Sequence, residues 1–530
     1  MLKIPPMPEL LQCEKCSAVV MGLTAVITAQ REALHELQKE VETLREEIAR
    51  LKKQKSKPTI KPSKLTEGDG RKQGGRKKAG EKPPRRVDRT VVVEAENIPP
   101  GSRFKGYRNY TIQELVIRSE TTLYRLATWL SPVGKLLTAK LPVPLPAVGP
   151  GDHFGPELRS FILYQYFHAL VTEPLLLEEL REWGVEISSG ELHALITGGK
   201  EQFHREKDEI LRVGLRVSGH IHVDDTGARH RGKNGYVTHI GNEWFAWFQG
   251  TESKSRINFL ELLRAGSLEY FVREESLTYM AGQKLPEPLL EKLQTAAGRR
   301  FADLDAWKKL LSDCGIESER HVRIATEGAL LGVVLENGWN PQLAIVSDDA
   351  GQFNILLHGL CWVHAERVLA KLVGFNDEQK RDLDGVRSTL WNLYRDLKTY
   401  KVAPTPEACI KLAADFDALC ATPTNFTTLK LALKRMHRNK GELLLVLERP
   451  DVPLHNNLSE GDVREYVKRR KISGATRSDD GRRARDTFAS LKKTCRKLGI
   501  SFWKYLMDRV RGDHAIEPLP ALIEARAQSS

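Results

Sequence analysis

The run HIHVDDTGAR at residues 220–229 decides how the rest of the chain reads. Its apolar and polar residues alternate into two adjacent acids, the period of a half-buried strand and not of a helix. NGYVTHIG (234–241) and EWFAWFQG (243–250) follow, separated by Asn- and Gly-containing turns, so residues 219–250 read as three hairpin-linked strands. Asp224 and Asp225 are placed at or near the end of the first strand. Successive strand side chains point to opposite faces, so only one of the two can look into a shared site. A second apolar run, LAIVS (343–347), leads directly into Asp348 and Asp349, and the same choice arises there.

A helix is expected from Ser253, and a much later one carries Glu460 within PLHNNLSEGDVREYVKRRKISGATR (453–477). Asn457 suits the N-cap of that helix, with Glu460 in the capping-box position. Glu460, Arg464 and Lys468 recur every four residues on one face, and Lys468, Arg469, Arg470 and Lys471 load the far end with charge. One reading is that Glu460 only caps and the cations only complement the helix dipole. The sharper reading is a metal-binding carboxylate beside a phosphate-tracking helix. The order strand, strand, strand, helix, strand and later helix is the ribonuclease H-like arrangement: an α/β fold with a mixed sheet flanked by helices.

The 530 residues carry a formal net charge of +13, and Lys52 to Arg89 alone holds most of that excess. A basic linker on a nearly neutral body points to a polyanion partner, nucleic acid above all, because Lys and Arg displace condensed counterions. Seven scattered cysteines do not read as a disulfide framework and fit a reducing cytoplasm. No apolar run reaches the roughly 20 residues that span a bilayer, so no membrane partner is expected.

The organisation expected from these patterns begins with residues 1–22, which hold Cys13 and Cys16 at metal-ligand spacing but lack the second pair a closed zinc site needs. Residues 23–52 are a coiled coil, with Ile27, Leu34, Val41 and Ile48 at a and Leu23, Leu37, Leu44 and Leu51 at d, which favours a parallel homodimer. Residues 53–90 form a disordered basic linker. Residues 91–218 combine short strands over Val91–Ile117 with a helical region whose 174–193 stretch has a helix-turn-helix layout, turning at Gly184 with a cap near Ser188 or Ser189. Residues 219–265 and 340–365 supply the first part of the core, 266–339 a helical insertion and 366–450 an all-helical insertion. Residues 451–515 hold the Glu-bearing and C-terminal basic helices, and 516–530 a tail. Arg477, Arg482, Arg483, Arg485, Lys492, Lys493, Arg496 and Lys497 continue the basic theme as candidate phosphate contacts.

The runs HVDDTGAR (222–229), SDDAGQFN (347–354) with Cys361-Trp-Val-His364 behind it, and HNNLSEGDVR (455–464) resemble the DDE transposases of the insertion-sequence-66 family. Carried over by position, the resemblance makes Asp224, Asp348 (five before Phe353) and Glu460 the catalytic and metal-binding set. Gly461 departs from the Arg that usually follows the Glu, and no cysteine-rich finger stands between Val91 and Ile117. The chemistry fits the residue types: two hard divalent ions about 3.5 to 4 Å apart serve attacking and leaving oxygens together, and Mg²⁺ needs few carboxylates. Mg²⁺, with Mn²⁺ as substitute, is the expected cofactor, and no GxxxxGK[ST] loop for ATP is present. Cys361 and His364 are expected either as a buried structural pair or with His364 on the DNA near the cleaved bond, and Arg464, Lys468, Arg469, Arg470, Lys471 and Arg477 on the DNA backbone.

The resemblance implies a prokaryotic, cytoplasmic, nucleoid-associated enzyme that binds the inverted-repeat ends of an insertion sequence, cleaves them and joins the 3′ ends to target DNA. A ribonuclease H-like nuclease without strand transfer, and a domesticated DNA-binding protein without catalysis, are the alternatives.

Overall fold

The computed structural model describes residues 87–141, 153–340 and 342–529. Cys13 and Cys16, the heptads of 23–52 and the basic run up to residue 86 lie outside them. The chain divides into two units, 1–114 and 115–530. In the first, residues 87–114 are exposed and contain neither helix nor strand. The strands expected over Val91–Ile117 therefore do not form. Val93, Phe104, Tyr110 and Ile112 there are each more than two-thirds exposed, so no second strand or core offsets the cost of ordering them.

In the second unit the first strands are β1 (Thr128–Leu130) and β2 (Leu136–Thr138), an exposed hairpin. Helices α1 (Pro156–Leu163, continued by a π-helical turn to Ala169), α2 (Glu173–Glu182), α3 (Ser189–Thr197) and α4 (Glu201–Val217) follow. The turn after α2 uses Gly184 at φ +77°, and Ser188 caps α3 in a reciprocal capping box with Glu191, so both local signals act as their chemistry dictates.

Strands β3 (His220–His230), β4 (Lys233–Gly241) and β5 (Ala246–Thr251) form an antiparallel meander. Helix α5 (Arg256–Leu263) begins after Ser255, which caps it, and not at Ser253. Residues 266–339 hold β6 (Tyr270–Phe271), α6 (Glu274–Gly282), α7 (Glu287–Gln294), β7 (Arg300–Phe301), α8 (Leu304–Asp313) and α9 (Glu319–Glu336). That segment is not purely helical, since β6 and β7 pair antiparallel, and its Tyr270, Trp307 and Leu330 share one core with Ile221 and Ile345 of the sheet.

Strands β8 (Ala344–Ser347) and β9 (Leu357–Leu360) run parallel to β3, giving one mixed sheet in the order β5-β4-β3-β8-β9. Helices α10 (Trp362–Ala370), α11 (Asp377–Val402), α12 (Pro406–Cys420), α13 (Thr427–Arg438), α14 (Lys440–Leu443) and α15 (Leu445–Glu448) make a lobe with its own core around Trp362, Leu390, Leu397, Phe416 and Leu429. The chain then returns as α16 (Asn457–Ser473), α17 (Asp479–Lys497), α18 (Phe502–Arg511) and α19 (Leu519–Gln528). The last of these corrects the expected tail: Leu519 and Ile523 are fully buried and α19 packs on α4.

The alternation in β3–β5 explains how the sheet is covered. Ile221, Val223, Ile240 and Trp247 face the main core, while Val237, Ala246 and Phe248 face Val463 and Tyr466 of α16. The Glu-bearing helix is thereby laid against the face opposite the main core.

Candidate active site

The first strand runs on to His230, so Asp224 and Asp225 sit in its middle and not at its end. Asp225 is spoken for: Thr238 Oγ1 and Gln352 Nε2 (3.0 Å) both donate to it. Asp224 accepts the backbone N–H of Asp225 (2.8 Å), and among the described residues no side-chain donor reaches it. Its carboxyl is pushed up to about 7, by burial first and then by the charges of Asp348 and Glu460. The strand period thus leaves Asp224 as the uncompensated acid.

Asp348 and Asp349 divide in the same way. Asp349 is tied to the helical lobe by Arg435 and by Asn439 Nδ2 (3.3 Å). Asp348, one residue past β8, accepts the N–H of Ala350 (3.2 Å) and raises the proton affinity of both Asp224 and Asp225. Glu460 lies in the first turn of α16, where Arg367 of α10 forks onto it through Nη1 (3.0 Å) and Nη2 (3.4 Å). His364 Nε2 stands 3.7 Å from the same carboxylate and Arg464 Nη2 3.6 Å.

Asp224, Asp348 and Glu460 therefore share one electrostatic neighbourhood. Among the described residues, however, no three His, Cys, Asp or Glu side chains stand close enough to enclose a cation, and Glu460 is turned to Arg367.

Asn457 does not cap α16; Asn456 occupies the N-cap, and its side chain bonds elsewhere. Asn456 is 1% exposed, pairs with His222 Nδ1 (3.0 Å) and donates Nδ2 to the Val223 carbonyl (2.7 Å). Its backbone N–H reaches Cys361 Sγ (3.2 Å), at the start of α10. One side chain and its own amide thus link the strand of Asp224, the helix of Arg367 and the helix of Glu460.

Two more buried histidines brace the other acids. His239, in register with Asp224 across β3 and β4, bonds Ser459 (2.7 Å), the residue before Glu460. His358 bonds Ser347 (2.8 Å), the residue before Asp348, and Glu442 (3.1 Å). Burial lowers the proton affinity of His239 and takes His222 down to about 3, so His222 is a neutral brace near pH 7.

The candidate DNA-contacting cations separate sharply. Arg464, Lys468, Lys471 and Arg477 are exposed. Arg469 is a correction: it is 5% exposed, lies 3.8 Å from the Tyr166 ring centre and donates to the carbonyls of Tyr166 and Val171. Arg470 is held by Gly227 and Thr226 of β3.

Farther along, Lys492, Lys493 and Arg496 bind Glu465, Lys493 and Lys497 bind Asp462, and Arg485 donates to the Gly474 carbonyl. Burial alone would raise Glu465, but these cations hold it down to about 2. The basic face of α17 neutralises α16 internally. Of the eight C-terminal cations only Arg477, Arg483 and Arg496 are exposed, and Arg496 is already committed to Glu465. Cys361 is buried with its thiol pushed up by that burial, so it supports α10 and is no reactive partner of His364.

Arg367, Asn456, His222, His239 and His358 were not singled out from sequence. For Arg367 a signal existed, since it follows His364 by three positions and therefore leaves the same helix face. The others become meaningful only once distant strands meet.

The family model described as the transposase IS66 family matches residues 332–484, a span that contains Asp348, His364, Arg367 and Glu460. An uncharacterized protein of Sinorhizobium fredii (strain NBRC 101917 / NGR234), y4jO, is 44% identical over 321 residues, which is 60% of this chain and the whole of that protein. The chain belongs to the IS66 transposase family. No helix among the described residues is long and apolar enough to cross a membrane.

Proposed function

We propose that the chain is a DDE transposase with a ribonuclease H-like core, in which Asp224, Asp348 and Glu460 hold Mg²⁺, or Mn²⁺ in its place. The observation that carries this reading is the half-buried, donor-poor Asp224 on the central strand, whose carboxyl is pushed up by burial and by the charges of Asp348 and Glu460 on two other elements. An all-oxygen set in which Asp224 has no side-chain donor suits a hard divalent cation. A pair of such ions supplies activation of an attacking oxygen and charge relief at a leaving oxygen.

The protein's own part is placement. Asp225 and Asp349 hold the loops around the site, the three buried histidines fix the elements, and exposed cations on α16 position the DNA backbone. The substrate is the inverted-repeat end of the element, and residues 23–52 pair two copies so that both ends are held together.

Exposure sets which cations matter for the salt dependence of DNA binding. Lys471→Ala and Arg477→Ala are each expected to reduce the log–log salt slope by about 1, because each loses one phosphate contact. Arg469→Ala should leave the slope unchanged and lower the unfolding midpoint in urea. A changed slope for Arg469→Ala alone would reverse the assignment.

The test is incubation of the full chain with a duplex carrying the terminal sequence of its element, target DNA and Mg²⁺. Joined products are expected. Nicks without joining would replace the transposase with a nuclease, and metal-independent binding without cutting would replace it with a non-catalytic DNA-binding protein.

A further inference from the structure

Glu460 is engaged by a cation of the chain itself. Arg367 holds both of its carboxylate oxygens, and in that arrangement no three acids among the described residues close a cluster around a cation. The pair is asymmetric in its access to water: the Arg367 side chain is 44% exposed and Glu460 15%. The guanidinium therefore sits at the mouth of the site on a side chain with room to move.

The space it can move into is present. Arg367 and Asp348 line a common cleft of about 360 Å³ between α10 and α13, with His364, Lys371 and Arg435 also on its walls. His364 Nε2 lies 3.1 Å from Arg367 Nη1, so both leave α10 toward this cleft and Glu460 together. A guanidinium accepts a phosphate in the same two-pronged geometry as a carboxylate, which makes exchange between the two partners inexpensive.

We propose that Arg367 is a phosphate-binding catalytic residue kept on Glu460 until DNA arrives. A backbone phosphate entering the cleft beside Asp348 takes over the guanidinium, and Glu460 is released toward Asp224 and Asp348. This rests on the reading of those three acids as the cation ligands. No bond is made or broken in the exchange; two N–H donors pass from a carboxylate to a phosphate.

The consequence is thermodynamic linkage. If DNA frees Glu460, DNA raises the affinity for the divalent cation and the cation raises the affinity for DNA by the same factor. Removing the guanidinium frees Glu460 in advance. The cation then binds the DNA-free protein more tightly, while cleavage falls because the phosphate has lost its partner. A residue that only supported the fold would lower both.

The test is calorimetric titration of Mn²⁺ into the full chain, alone and with a duplex of the terminal sequence protected from cleavage by phosphorothioates. In the unaltered protein the duplex is expected to raise Mn²⁺ affinity by about 5-fold or more, within the usual range of such couplings. Arg367→Gln should bind Mn²⁺ more tightly without DNA, show no further gain with the duplex, and cleave on the order of 10²-fold more slowly. Arg367→Lys, which keeps the charge but not the fork, should fall between.

Unchanged or weaker Mn²⁺ binding by DNA-free Arg367→Gln, with an unaltered melting temperature, would overturn the proposal. Asp224→Asn separates the two levels. If it abolishes Mn²⁺ binding while Arg367→Gln leaves the coupling intact, only the role of Arg367 falls. If it leaves Mn²⁺ binding untouched, the three-carboxylate reading falls with it.

Discussion

Asp224→Asn is expected to abolish end cleavage while making the metal-free protein more stable, two effects of opposite sign from one carboxyl group. Loss of the shared negative charge removes several kcal/mol of charge stabilisation at the reacting phosphate. About 4 kcal/mol of that corresponds to a rate loss on the order of 10³-fold.

The stability gain follows from linkage. The Asp224 carboxyl is raised from its ordinary value of 3.8 to about 7, so between those two pH values the folded state holds a proton that the unfolded state has released. Stability from this group is complete below pH 3.8 and is lost as the pH rises through 7. Each step of one in pH across that window is worth at most about 1.4 kcal/mol. Because water reaches part of the side chain, the net gain for Asn at pH 8 without divalent ions should be on the order of 1 kcal/mol. Urea unfolding of both proteins at pH 3.5, pH 5 and pH 8 measures it: the two should converge at pH 3.5, differ in part at pH 5 and differ most at pH 8, and added Mg²⁺ should stabilise only the unaltered chain. A variant less stable at pH 8 would mean that Asp224 is paired in the folded protein.

Asn456→Ala carries the second large effect, this time lowering both stability and activity. The substitution strips partners from the buried His222 ring and the Val223 carbonyl. Leaving two such groups unsatisfied costs about 2–4 kcal/mol. It also loosens α16 against β3, and a misplacement of about 1 Å at a reacting site costs on the order of 10² in rate. Asn456→Asp is the informative companion, because it keeps an oxygen for His222 but turns the donor facing Val223 into an acceptor. Urea midpoints and single-turnover cleavage should fall for both, with the aspartate variant no better than alanine. Full activity in either would remove Asn456 from the site's support.

The site was legible where chemistry and periodicity coincide. Two apolar strands running into paired acids pointed to Asp224 and Asp348 as members of those pairs, and the helix over Glu460 could be read from its polar and charged pattern. The choice within each pair came from the family resemblance and not from the strand pattern, since in the fold it depends on Thr238 and Gln352 for one and on Arg435 for the other. Charge was misread for a related reason. The Lys and Arg residues of 482–497 look like an exposed phosphate-binding face until Asp462 and Glu465, some thirty residues earlier, are folded against them. The segment 516–530 looked like a tail because its few apolar residues find their main partner in α4, far away in sequence. Residues 91–117 failed in the opposite direction: a strand-like pattern without a neighbouring strand has nothing to pair with.

The most direct measurement is an anomalous-difference map from crystals of the full chain grown with Mn²⁺ and the protected terminal duplex. Metal density is predicted to touch Asp224, Asp348 and Glu460, at roughly 2.0 to 2.2 Å from their oxygens as hard divalent ions require, with Arg367 turned away from Glu460. Metal bound elsewhere, or a vacant site with Glu460 still paired to Arg367 on bound DNA, would contradict it.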